Sequence, residues 1–99
     1  MCDSTCETGT ASAKVLIEND RVTVTQWSFE VGQNTGWHRH AHDYVVVPML
    51  DGKLKIVDKT GTAVSEMRSG IPYFREKGVE HDVINATGGG YRFLEIELK

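Results

Sequence analysis

The sequence predicts an all-β domain, a barrel or sandwich of about eight to ten short antiparallel strands. Three observations carry the prediction. Runs rich in Val, Ile, Thr, Tyr, Phe and Trp recur at short intervals from Lys14 to Leu98. Turn signals built from Asn, Asp, Thr and Gly separate them. No segment sustains an apolar period of 3.6 over about ten residues, so no helix competes. At 99 residues the chain suits one domain with one core.

Taken in order, residues 1–13 read as a flexible polar tail and 14–99 as the folded domain. The tail is nearly all Ser, Thr, Asp, Glu and small residues, and its Cys2 and Cys6 have a spacing that suits no common zinc motif, so they read as reduced thiols. Lys14–Glu18 is a β-branched run closed by Asn19-Asp20. In Arg21–Val31 the apolar positions switch parity from Val22 and Val24 to Trp27, Phe29 and Val31, which predicts a bulge or burial on both faces. After a loop from Gly32 to Gly36, Trp37–His42 reads as extended and Asp43–Leu50 as strongly β-prone.

Asp51-Gly52 has the composition of a two-residue hairpin turn, with Gly52 supplying positive φ before Lys53–Lys59. Thr60-Gly61 turns the chain into Thr62–Met67, which ends at Arg68-Ser69-Gly70. Ile71–Glu76 and His81–Asn85 flank a turn at Gly78, where positive φ is again expected. The loop Gly88-Gly89-Gly90 precedes Tyr91–Leu98, in which Leu94, Ile96 and Leu98 alternate with Phe93, Glu95 and Glu97.

Eleven basic against fourteen acidic side chains leave a net charge of -3, without a Lys/Arg run. Such a surface lacks the positive field that nucleic acid or anionic lipid requires. The longest apolar run, Tyr44 to Leu50, contains a proline and is far shorter than the roughly 20 residues needed to cross a bilayer. With no leader-like opening, the expectation is a soluble cytoplasmic protein that binds neither nucleic acid nor membrane. Ser28, Ser65 and Ser69 lie in no nucleophile-elbow pattern, which disfavours serine hydrolysis.

The chemistry is in the histidines. His38 and His40 alternate, which on a strand sends both to one face, and His81 opens a later strand. Imidazoles in that arrangement suit Zn, Fe, Ni, Mn or Cu, although alternate histidines on a strand also read as polar surface. Glycines frame them. Gly32 stands six residues before His38, and Gly52 twelve after His40; Gly70 stands eight before Gly78, followed by His81 and Asn85.

With these residues in these places the sequence resembles the cupin family of jelly-roll barrels. Gly32, His38, His40 and Gly52 fit the family's first motif, with Val45 where its glutamate stands. Gly70, Gly78, His81 and Asn85 fit the second, with Glu76 in the place of a proline. The run Gly36-Trp37-His38-Arg39-His40, followed by Asp43-Tyr44-Val45-Val46-Val47-Pro48, looks like the small single-domain cupins encoded among β-alanine degradation genes.

The resemblance implies a single-domain jelly-roll barrel with one divalent transition metal (Fe, Zn, Ni or Mn) held by His38, His40 and His81. Loss of the glutamate weakens hard cations most. It implies a small metal-binding cupin acting on a small polar metabolite, of oxygenase, isomerase or lyase type. The alternative is a non-catalytic small-molecule holder or a dimeric structural cupin with a metal-free site.

Tyr44 and His42 are the candidate catalytic residues, and with Asp43 they are the candidates to replace the missing carboxylate. Arg39, Arg75 and Arg92 could clamp a substrate carboxylate. Asn85 is expected to bond backbone. Trp27, Trp37, Phe29, Phe74 and Phe93 are expected in core or dimer packing, and a homodimer is expected because so small a barrel gains stability by pairing.

Overall fold

The computed structural model describes residues 10–99; Cys2 and Cys6 lie outside them. The described chain forms β1 (Ser12–Glu18), β2 (Val22–Phe29), β3 (His38–Arg39), β4 (Asp43–Pro48), β5 (Gly52–Asp58), β6 (Gly61–Met67), β7 (Tyr73–Arg75), β8 (Glu80–Asn85) and β9 (Tyr91–Leu98). These strands make a five-stranded sheet in the order β1-β2-β9-β4-β7 and a four-stranded sheet in the order β3-β8-β5-β6. Every pairing between them is antiparallel. The all-β expectation holds, as a jelly-roll barrel. Among the described residues no helix is long and apolar enough to cross a membrane.

The first strand begins at Ser12, ahead of the predicted Lys14. Ala11 is already buried, and its N–H donates to the Asn34 carbonyl at 2.8 Å. The parity switch in β2 reflects half-burial along the strand. Its pairing with β9 runs unbroken from Val22↔Leu98 to Phe29↔Tyr91, whereas the register irregularity lies in β1, between Val15 and Ile17.

Asp51-Gly52 is not a hairpin turn. β4 pairs with β9 and β7 while β5 pairs with β6 and β8, so this dipeptide carries the chain from one sheet to the other. Gly52 does not have positive φ either. A Cβ there would lie 2.6 Å from Thr87 Oγ1 and 2.8 Å from the Tyr91 ring, so glycine answers a steric demand. The two-residue hairpin falls at Lys59-Thr60, between the paired residues Asp58 and Gly61, and Gly61 adopts φ 138°. Gly78 has the expected positive φ, at 97°.

The register sorts the inner face of the large sheet into rows. Trp27, Phe93 and Pro48 form one; Thr25, Glu95, Val46 and Tyr73 the next; Thr23, Glu97, Tyr44 and Arg75 the last. The barrel interior is therefore apolar at one end and polar at the other. Leu54, Met67 and Val83 face it from the small sheet, and Phe29 packs on Phe93 with ring centroids 5.6 Å apart. Full burial of a side chain such as Leu54 or Met67 contributes about 1.5–3 kcal/mol. Trp27 packs against this core, while Trp37 and Phe74 are exposed.

The opposite face carries another row across all five strands: Ile17, Val24, Ile96, Val45 and Phe74. Ile17 and Phe74 in that row are about half exposed, at 52% and 49%.

Candidate metal centre

Three short pieces of backbone bring the histidines together. β3 pairs with β8 so that His38 is directly opposite His81, which puts both rings on one face. His40 follows the end of β3, where its N–H donates to the Val79 carbonyl at 2.9 Å and its carbonyl accepts from Gly78 N–H at 2.8 Å. The left-handed Gly78 thus sets the bend that closes this contact.

The side chains meet through the same atom type. His38 Nε2 is 3.0 Å from His40 Nε2, which is 3.3 Å from His81 Nε2. His40 and His81 are buried and His38 half-buried. His38 Nδ1 lies 2.8 Å from the Gly36 carbonyl, which can only accept, so Nδ1 carries the proton and Nε2 keeps its lone pair. The loop that holds Gly36 is itself pinned by Asp82. Its carboxylate accepts from Gly36 N–H at 3.0 Å and from Asn34 Nδ2 at 3.0 and 3.2 Å.

Burial favours the neutral form of two of the rings, His40 and His81. Burial, then the neighbouring His38 and His81, push His40 down to about 3. Burial, then His38, lower His81 to about 4. Neutral imidazole is the form that binds a metal, and three such nitrogens a few ångströms apart are a donor set for a divalent transition ion.

Two acidic residues complete the surroundings, and the sequence reading assigned them no role. Glu95 Oε2 is 3.8 Å from His40 Nε2, and Glu97 Oε2 is 4.0 Å from His40 Nδ1. Burial, then Glu97, raise Glu95 to about 7. The available signal was parity: Glu95 and Glu97 alternate in step with Tyr91 and Phe93, the aromatic pair that faces the core.

The other candidates divide. Tyr44 is buried with its ring stacked on His40, centroids 3.8 Å apart, and burial raises its phenol above the ordinary range. Val45, matched to the family's glutamate, belongs to the outer row, so Tyr44 is the inward residue at this point of β4. His42 sits in the loop before β4, at a shallow cleft shared with His38 and His40, and is not among the clustered donors. Asp43 accepts the Lys77 N–H at 2.8 Å, a structural bond. Asn85 bonds backbone as expected, donating to the carbonyls of Glu30 and Gly89.

Beside His81 and Glu95 lies a cavity of about 300 Å³ between the sheets, walled by Val46, Leu54, Ile56 and Tyr73 among others. Arg75 lines it, with its guanidinium carbon 4.4 Å from the centre of the Tyr73 ring. Arg39 instead pairs with Glu80 on the surface, and Arg92 lines a separate depression with Ser28 and Leu50.

This barrel and inward histidine cluster define a class, and the comparisons agree on it: the chain belongs to the cupin family. It superposes on the crystal structure of a cupin domain from Bordetella pertussis Tohama I with a TM-score of 0.89, at 48% identity, over 91% of this chain and 94% of that one. Within the family it is similar to the β-alanine degradation protein BauB of Pseudomonas aeruginosa, at 47% identity over 85 residues, 86% of this chain and 90% of that protein. A cupin superfamily protein of Desulfitobacterium hafniense shares the fold at 19% identity and a TM-score of 0.69, over 90% of this chain and 77% of that one. No family profile matches the chain.

Proposed function

We propose that the chain is a metal-binding cupin in which His38, His40 and His81 hold one divalent transition ion and the adjoining cavity receives a small polar metabolite. The convergence of three Nε2 atoms carries the reading. Fe, Zn, Ni and Mn all suit the donor set, and the bound ion supplies Lewis-acid or redox chemistry of the oxygenase, isomerase or lyase kind. The protein's own residues prepare the site. Gly36 fixes the His38 tautomer, Tyr44 excludes water from one face of His40, and the apolar walls desolvate whatever enters the cavity.

The name of BauB ties that relative to β-alanine degradation, which makes small amino and keto acids the first substrates to try. The cavity's apolar walls equally support a holder that performs no chemistry, and turnover with oxygen uptake followed by electrode separates the two. We further propose that a second copy covers the outer row of the large sheet, giving a homodimer.

Elemental analysis of tag-free protein tests the centre. About one first-row metal per chain is expected, with most of it lost in His81→Ala. Stoichiometric metal that survives loss of both His38 and His40 overturns the assignment.

A further inference from the structure

We infer that Glu95 supplies the anionic ligand of this centre from β9, in place of the glutamate the first motif lacks. The inference rests on the metal reading above and extends it by naming a fourth ligand.

The register places the residue. Glu95 pairs with Thr25 on one side and Val46 on the other, and it points inward with Tyr91 and Phe93. The inward position at the start of β4 is taken by Tyr44, whose ring covers His40, and Val45 belongs to the other face. A carboxylate for this site therefore has to come from another strand; β9 and β7 flank β4 in the sheet, and of the two only β9 carries carboxylates.

The two acidic residues address different nitrogens of one ring. Glu95 is on the Nε2 side of His40, where the other two histidines also converge, and Glu97 is on the Nδ1 side. The first is the position on the side where the three Nε2 atoms meet. Donors around an ion at bond lengths of about 2.0–2.2 Å stand roughly 3.0–3.6 Å apart. Glu95 stands 3.8 Å from His40 Nε2, and among the described donors it clusters with His40 and Glu97 rather than with His38 and His81, so its carboxylate has to turn toward the three imidazoles as the ion binds.

Burial gives the carboxylate a reason to take a cation. Glu95 is 9% exposed, and among the described residues the ion pair found for it is with His40 rather than Lys or Arg. A divalent ion neutralises its charge, and three imidazoles with one carboxylate leave the centre a single net positive charge. That donor set accepts Mn(II) and Fe(II) better than imidazoles alone.

The test is titration of metal-free protein with Co(II), followed by absorption, and with Mn(II), followed by electron paramagnetic resonance. Wild type, Glu95→Gln, Glu95→Asp, His81→Ala and the control His42→Ala are compared. The expected result is a changed Co(II) spectrum and an Mn(II) affinity lower by about tenfold or more in Glu95→Gln, an intermediate loss in Glu95→Asp, and no change in His42→Ala. If Glu95→Gln does not melt cooperatively, Glu95→Asp carries the comparison. Unchanged Co(II) and Mn(II) binding in the Glu95 variants, with both lost in His81→Ala, overturns Glu95 as a ligand and leaves the three-histidine centre standing. Wild type that binds neither ion overturns both.

Discussion

Tyr44 lies against His40 with ring centroids 3.8 Å apart and planes 17° apart. The stack removes water from the imidazole and fixes the plane in which Nε2 meets His38 and His81. Tyr44→Phe keeps the ring and should leave zinc affinity within about threefold, whereas Tyr44→Ala frees His40 and should weaken it about 10–100-fold. Competition with a chromophoric chelator reads both. Equal affinities in the two variants would show that the stack does not orient the ligand.

The metal-free protein should be most stable near pH 6.5. His40 and His81 titrate at about 3 and about 4 when folded, against 6.5 when exposed. Between those values the unfolded chain binds more protons, so stability rises with pH and is complete above 6.5. Glu95 works the other way. Raised from 4.5 to about 7, it binds more proton in the fold and costs stability as pH climbs through that window. Two histidines outweigh one carboxylate below pH 6.5, and above it only the small Glu95 loss remains. Tm measured with a chelator present should fall toward pH 4.5, and a Tm that declines steadily from pH 5 to 7 would contradict the balance.

Gly52→Ala should destabilise by about 1–3 kcal/mol, because the new methyl meets Thr87 Oγ1 and the buried Tyr91 ring. Gly88→Ala, with nothing within 4 Å of the added carbon, is the matched control. Urea unfolding of both proteins decides whether the demand is steric.

Asp82→Ala removes the acceptor for Gly36 N–H and Asn34 Nδ2. The expected cost is about 1–3 kcal/mol, together with weaker metal binding because the Gly36 carbonyl no longer holds His38 Nδ1. Loss of stability with full metal affinity would confine Asp82 to a purely structural role.

Val45→Glu restores the family's residue at its motif position but on the outer face. It should leave metal stoichiometry unchanged and, by placing a charge in the apolar row, shift the mass seen by light scattering from dimer toward monomer. A monomeric wild type at micromolar concentration would remove the pairing proposal.

The local signals were legible. Lys14–Glu18, Asp43–Leu50 and Tyr91–Leu98 read as strands because β-branched and aromatic runs report their own backbone preference. The turn at Gly78 was legible for a similar reason. His38, His40 and His81 stood out because few residue types bind a transition metal and glycines at fixed distances framed them. What the chain order hid was partnership. Asp51-Gly52 has a hairpin's composition, yet its flanking strands lie in different sheets. β9 carries two amphipathic faces, one with Leu94, Ile96 and Leu98 and the other with Phe93, Glu95 and Glu97, and local hydropathy favours the wrong one.

By itself, then, the sequence determined the strand-rich character and the histidines available for chemistry, since these depend on residue type and near-neighbour spacing. The tertiary structure decided that Tyr44 rather than Val45 faces inward and that Glu95 stands beside His40. Those outcomes depend on which strands pair and in what register, and pairing between distant segments is settled by the packing of the whole barrel.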